Sequence, residues 1–307
     1  MPKAEILLAA FNGETYVAEQ LDSLLAQSWP DFHITVSDDA STDRTPEILA
    51  TYAARYPEKI TVLQHGLHFG NARDHFFYLM KQCQEEHMLF CDQDDVWNPD
   101  KTEITMRAML AEERKCTSET PVLVFTDAVP VDAALRPLAA SLMKLQKQDI
   151  SVVDYRKLLI QNVVTGCTMG INRALAQQAV RCQTPQDVIM HDWWLGAVAA
   201  RFGKVIYVDQ PTMLYRQHGK NEVGAKDVRS LQYIVSRAQK PAALRQLILA
   251  KKKQAACFAQ TYQAQLNAAD ERFLHSYIRP HSGLVFYIRH RHLFCGFLRF
   301  VGFLVLG

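Results

Sequence analysis

The sequence predicts an α/β fold with a mostly parallel central sheet, followed by a C-terminal helical region. Three observations carry this. Short continuous apolar runs recur through the first 130 residues, the pattern of strands covered on both faces. Each run is followed by apolar residues at helical spacing, as βαβ units require. The 307 residues are 49% apolar and 21% charged, enough to build a sizeable core in one large domain or two ordinary ones.

Residues 6–10 form the first strand, and 16–27 the helix after it, with Val17, Leu21, Leu24 and Leu25 on one face. Residues 34–36 form the second strand. Thr45 opens the next helix as an N-cap hydroxyl, with Pro46 at the first helical position. Residues 60–63 are a third strand and 71–81 a helix; 88–91 are a fourth strand, 101–113 a helix, and 122–125 a fifth strand. Beyond 150, residues 163–171 read as a Gly-interrupted strand, 190–202 as a helix, and 205–208 and 213–215 as short strands. From about 227 to 268 the pattern is helical. A catalytic domain over 1–225 and a helical region over 226–307 are expected.

Lys and Arg total 34 against 32 Asp and Glu, a formal charge of +2, which gives no case for nucleic acid as a partner. Seven cysteines without a Cys-x-x-Cys pair argue against a disulfide framework or a thiolate zinc site and fit a reducing compartment. The N-terminus lacks signal-peptide features, and no apolar run reaches the ~18 residues of a membrane span. A cytoplasmic location is expected.

In parallel sheets ligands bind beyond the carboxyl ends of the strands, so the residues following each strand carry the chemistry. Asp92-Gln93-Asp94-Asp95 follows the fourth strand; hard carboxylate oxygens at this spacing suit Mg²⁺ or Mn²⁺ together with substrate phosphates. A solvated acidic turn capping the helix near Pro99-Asp100 is the plainer reading. Asp38 ends the second strand and could accept the N3–H of a uracil or thymine, or close an Asx turn. His191-Asp192-Trp193-Trp194 sets a helix-start carboxylate beside two indoles, which suits a sugar but equally a filled core. Gly166, between Thr165 and Thr168, marks a close backbone approach or a bulge. Asp127 reads as a turn residue, and His65, His68 and His75 as surface or helix-face residues.

With Ala10-Phe11-Asn12-Gly13, the run Ser37 to Asp43, Gly70-Asn71-Ala72-Arg73 and Cys91 to Trp97 in order over about residues 4–220, the chain resembles the nucleotide-sugar glycosyltransferases of family 2, which have the GT-A fold. The run Tyr215 to Asn221 adds a likeness to bacterial rhamnosyltransferases of surface polysaccharide (O-antigen or capsule) assembly. The resemblance implies that Ala10, Phe11 and Asn12 line the donor pocket and that Asp38 meets the pyrimidine base. Asn71 and Arg73 would lie near the base or diphosphate, and Asp92 with Gln93 near the ribose or donor sugar. Asp94 would hold Mg²⁺ or Mn²⁺, with His218 facing the diphosphate or completing the metal shell. Asp192 would be the catalytic base of an inverting transfer, with Trp193, Trp194 and Gly166 on the acceptor side. As an ordinary carboxyl of pKa ~3.9, Asp192 would take the proton late. The implied donor is a dTDP- or UDP-sugar, dTDP-L-rhamnose first, and the acceptor a lipid-linked or lipopolysaccharide-type glycan. Two departures stand out: Ala10-Phe11-Asn12 where Thr-Tyr-Asn is frequent, and His191-Asp192 where Glu-Asp is common.

A sugar-nucleotide-forming nucleotidyltransferase would carry a Gly-rich basic loop where this chain has Phe11-Asn12-Gly13-Glu14. A scaffold with a decayed site would not need Asp38, Asp92, Asp94 and Asp192 together. After Glu271 no acidic residue occurs, while Arg272, Arg279, Arg289, Arg291 and Arg299 alternate with aromatic and aliphatic residues. That is the composition of an interfacial segment. Peripheral attachment to the inner face of the cell membrane is expected, with packing on the catalytic domain or an oligomer contact as the alternative.

Overall fold

The computed structural model describes residues 1–148, 150, 153–218, 241–279 and 284–293. One sheet of eight strands runs in the order β3-β2-β1-β4-β7-β6-β8-β5. Strands β1 (Ala4–Ala10), β2 (Phe32–Asp38), β3 (Ile60–Val62) and β4 (His87–Asp92) pair in parallel. Between them run α1 (Val17–Leu25), α2 (Thr45–Arg55) and α3 (Ala72–Gln82), and α4 (Lys101–Glu113) follows the two-residue β5 (Val96–Trp97). All four helices fall where the apolar spacing predicts them.

The second half of the sheet departs from simple βαβ order. Strand β7 (Met169–Asn172) inserts antiparallel between β4 and β6 (Val122–Val131), and β8 (Lys204–Arg216) runs parallel to β6. The expected strand over 163–171 shortens to β7. Before it, Asn162 bonds both Val164 N–H and Val164 C=O, and Thr168 N–H and hydroxyl both reach Thr165 C=O, so a 3₁₀ turn replaces a ladder. The two short strands expected at 205–208 and 213–215 are one strand, kept in register with β6 across bulges near Asp127. Thr45 is not an N-cap: it is the first residue of α2, and its hydroxyl accepts Gly13 N–H at 2.8 Å and donates to Asp43 at 2.5 Å.

Each face of the sheet is covered, as continuous apolar strands require. Alternate residues of β1 show it: Ile6 and Leu8 join the core under α1 and α2, and Leu7 the core under α3. The α3 side also receives α6 (Tyr155–Ile160), α8 (His191–Phe202) and two C-terminal helices, α9 (Pro241–Thr261) and α10 (Ala268–Ile278); α5 (Leu142–Leu145) and α7 (Arg173–Ala179) are shorter. Phe258 of α9 stacks on Tyr155 and meets Trp194 edge-on. Asp270 of α10 is almost fully buried, yet it accepts from Tyr155 (2.5 Å) and pairs with Arg201 (2.7 Å) and Arg156 (3.1 Å). The final described piece, α11 (Leu284–Arg289) and the turn after it, buries Phe286 and Leu293 against this cluster. The expected boundary near 225 and the tail beyond Leu293 lie outside the described residues.

Candidate active site

The carboxyl ends of β1, β2 and β4 open into a cavity of about 720 Å³. Ala10, Phe11, Asn71, Asp92, Gln93, Asp94, Gly166, Asp192 and Trp193 all line it, so residues from both the donor and acceptor expectations meet in one space. Asn12, Asp38, Arg73, Trp194 and His218 stand outside that lining.

Several of these side chains build the walls. Gln93 is a two-way brace: its Oε1 accepts Phe11 N–H and its amide donates to Phe11 C=O, both at 2.7 Å. Gly13 has no side chain because a Cβ there would strike the Gln93 amide. Asn12, held at φ +46°, accepts Thr42 N–H at 2.8 Å and donates its own N–H to Ser41. The loops after β1 and β2 are thereby fastened together. Asp38 is taken up locally by Ser41 N–H (3.0 Å) and Ser41 hydroxyl (2.5 Å). Its neighbour Asp39 is the one that lines the cavity, accepting Gly70 N–H at 2.8 Å, Phe69 N–H, and a contact from His68.

Asn71 caps α3 through Asp74 N–H at 2.9 Å and also lines the cavity. Arg73 is outside the lining; it grips Asp74 with two bonds of 2.8 Å and donates to Val188 C=O at 2.8 Å. His75, expected on a surface or helix face, is buried; its Nε2 sits 2.7 Å from Ser37 hydroxyl, and burial pushes its pKa down to about 4.

The two residues expected at the metal come together across 124 positions, with His218 Nε2 2.7 Å from Asp94 Oδ2. An imidazole and a carboxylate facing each other are a donor set that Mn²⁺ or Mg²⁺ accepts. Arg216, two residues earlier and almost fully buried, fixes this meeting. Its Nε donates to Asp94 C=O at 2.7 Å, its backbone N–H to Asp95 at 2.9 Å, and its remaining nitrogens to Ala133 C=O (2.7 Å) and the Glu19 carboxylate. Tyr16 stacks on His218 and lies under the Arg216 guanidinium. A second set, Asp92, Asp95 and Cys167, brings its ligand atoms within 4.8 Å of one another. Burial pushes both the Asp95 carboxyl and the Cys167 thiol well above their ordinary values, and the buried Lys101 stands beside them. The ammonium of Lys101 beside these groups opposes a cation there.

Asp192 opens α8 and is 8% exposed. Burial pushes its pKa up to about 7, although Trp193 N–H, Asn162 and Gly166 N–H each pull it back. Gly166 lies directly against this helix start; a Cβ on it would come within 2.8 Å of His191 Nε2. His191 lies against Phe76 and Phe90, and burial pushes its pKa down to about 3, so it is neutral. Trp193 lines the cavity while its indole N–H reaches Leu158 C=O. Trp194 is a core residue, bonded to Ala179 C=O at 3.1 Å and stacked on Tyr262. No helix among the described residues is long and apolar enough to cross a membrane.

Two sequence roles were missed. Asp39, not Asp38, is the carboxylate at the cavity, and the only sequence signal was its adjacency. Arg216 lay inside the Tyr215 to Asn221 run without an assigned role.

The mostly parallel sheet with strand-end carboxylates around a cavity is the GT-A fold, and the sequence and structural likenesses make the chain a nucleotide-sugar-dependent glycosyltransferase. The sequence matches the family "Glycosyl transferase family 2" over residues 5–177, and the chain belongs to that family. It is 30% identical over 227 residues to a dTDP-rhamnosyl transferase, RfbG, of Shigella flexneri, covering 71% of this chain and 74% of that protein. Its fold is similar to Staphylococcus aureus TarS solved with UDP-GlcNAc (TM-score 0.58, 17% identity, 90% of this chain and 71% of that one). It is similar also to the mannosyltransferase PcManGT of Pyrobaculum calidifontis solved with GDP-Man and Mn²⁺ (TM-score 0.53, 15% identity, 99% and 86%).

Proposed function

We propose that this enzyme transfers a sugar, L-rhamnose from dTDP-rhamnose, with inversion to a hydroxyl of a growing surface polysaccharide. The observation that carries the reading is Asp192, a buried carboxyl with its pKa near 7 facing the same cavity as Asp92 and Asp94. A base tuned close to ambient pH can accept the acceptor hydroxyl's proton as the new bond forms, earlier than an ordinary carboxylate would. Asp92 faces the donor sugar or ribose, and Asp39 with Asp38 the pyrimidine end. Asp94 and His218 would hold Mg²⁺ or Mn²⁺, and such an ion neutralises the charge developing on the departing diphosphate. The described lining contains four carboxylates and no Lys or Arg, so a diphosphate there calls for a cation. Apolar lining from Leu142, Val163, Val164 and Ile189 suits the methyl group of a deoxysugar, and the likeness to a dTDP-rhamnosyl transferase points the same way. A UDP-hexose donor with the same chemistry is the second reading. The test is turnover and calorimetry with dTDP- and UDP-sugars, with Mn²⁺ and with excess EDTA. Mn²⁺-dependent turnover of dTDP-rhamnose is expected; tight GDP binding without dTDP or UDP binding, or full turnover in EDTA, contradicts the proposal.

A further inference from the structure

Cys182 lies in the segment joining α7 to α8, and Cys257 lies in α9. Their sulfurs stand 3.0 Å apart, and both are free thiols. At that separation the two thiols are within hydrogen-bond reach, either one able to donate, and a further approach of about 1 Å would give a bond length near 2.05 Å. The hydrogen bond from Cys182 brings the Cys257 thiol down to about 6 despite its burial. The Cys182 thiol is pushed up in turn, so the pair loses its first proton readily and keeps the second, and a thiolate is the form that reacts with oxidants. Cys257 is 3% exposed, whereas Cys182 is only half-buried and is the sulfur a small oxidant meets.

We propose that Cys182 and Cys257 form an oxidation site, converted by a peroxide into a disulfide that ties α9 to the segment leading into α8. Once the pair has lost one proton to solvent, the proton that remains moves to Cys257, and the Cys182 thiolate attacks one peroxide oxygen. The O–O bond breaks, hydroxide leaves, and Cys182 becomes a sulfenic acid. The Cys257 sulfur then displaces that oxygen, which leaves as water once protonated, and the S–S bond forms. Two thiols and one hydrogen peroxide give one disulfide and two waters, with both electrons ending on the peroxide oxygens. A disulfide of this kind in a reducing compartment is transient and sensing rather than structural.

The position gives the link a consequence for the cavity. Gln254, almost one turn before Cys257, accepts Ile189 N–H at 2.8 Å. Ile189 and Met190 line the cavity and run directly into Asp192. A covalent bond would reinforce the hydrogen bond by which α9 already braces that wall.

The experiment exposes the full-length wild-type protein to hydrogen peroxide, alkylates the remaining thiols, and maps the peptides by mass spectrometry. The expected result is a linked Cys182–Cys257 peptide, the loss of two alkylatable thiols, recovery of both with dithiothreitol, and slower hydrogen exchange at Ile189 in the oxidised protein. In Cys257→Ser, Cys182 should stop at a sulfenic acid that dimedone traps. Complete alkylation of both cysteines after peroxide, a link from Cys182 to any other cysteine, or sulfinic acid at Cys182 in the wild type without a link would overturn the proposal. The wild-type peptide map decides the matter even if the variant fails to fold.

Discussion

A carboxyl at its ordinary pKa of ~3.9 is a weak base near neutrality, and burial is what changes Asp192. Its motif was legible in the sequence, but its strength was not, because desolvation depends on Asn162, Gly166 and the helices that close over them. The sign of the consequence is fixed. As the proposed base, Asp192 must be ionised to accept a proton, and its pKa is raised to about 7, so activity is expected to be low below that value and to climb as pH rises through it. The kcat profile is expected to show a single-proton acid limb centred near pH 7, and a profile flat from about 5.5 to 8 contradicts the assignment. Arg73 illustrates the opposite limit of sequence reading. Its place after Gly70-Asn71 suggests a donor contact, and its guanidinium bonds Asp74 and carbonyls more than 100 residues away. Such pairings leave no local pattern. That Asp39 rather than Asp38 lines the cavity was not legible for a related reason, since which of two adjacent carboxylates meets the cavity depends on how the strand ends.

At the scale of elements, continuous apolar strands and helical spacing were read correctly through α4, because burial on both faces leaves a strong periodic signal. The antiparallel β7 and the bulged β6–β8 pairing were not legible: one is four residues long, and the other depends on register across a long insertion. Register matters to the site, since β8 ends by delivering Arg216 and His218 to the Asp94 loop. The Arg216 guanidinium bonds the Asp94 and Ala133 carbonyls and the Glu19 carboxylate at once, a planar multi-donor geometry that a lysine cannot reproduce. Arg216→Lys is therefore expected to weaken Mn²⁺ binding about 10- to 100-fold, the usual cost of losing a support behind a metal ligand. Titration of the protein with Mn²⁺, followed by electron paramagnetic resonance, measures it. Wild-type affinity in a variant with native circular dichroism would show that Arg216 does not set the site.

Across the whole molecule, the C-terminal helices are part of the machinery's support: α9 braces the segment before Asp192, and α10 inserts Asp270 between Arg156, Arg201 and Tyr155. The helical character of this region was legible from composition, but its docking was not, because Asp270 gives no sign in sequence of its distant partners. Of the basic, aromatic C-terminus, the residues after Leu293 lie outside the described ones. Phe286 and Leu293 are buried against Phe273 and Tyr277, so the membrane expectation rests on the residues after them. We expect that the full chain sediments with anionic liposomes in low salt and that a chain ending at Leu293 does not, each basic residue near the surface being worth about 1 kcal/mol. Equal sedimentation of the two would exclude the tail as the anchor. The central claim is that Asp192 acts as the base in metal-dependent sugar transfer, and the most direct measurement compares Asp192→Asn with wild type for kcat and for dTDP-rhamnose affinity by calorimetry. An interaction used only in the transition state predicts a kcat lower by about 10²-fold or more with donor Kd unchanged; near-normal kcat, or a loss confined to donor binding, would contradict the account.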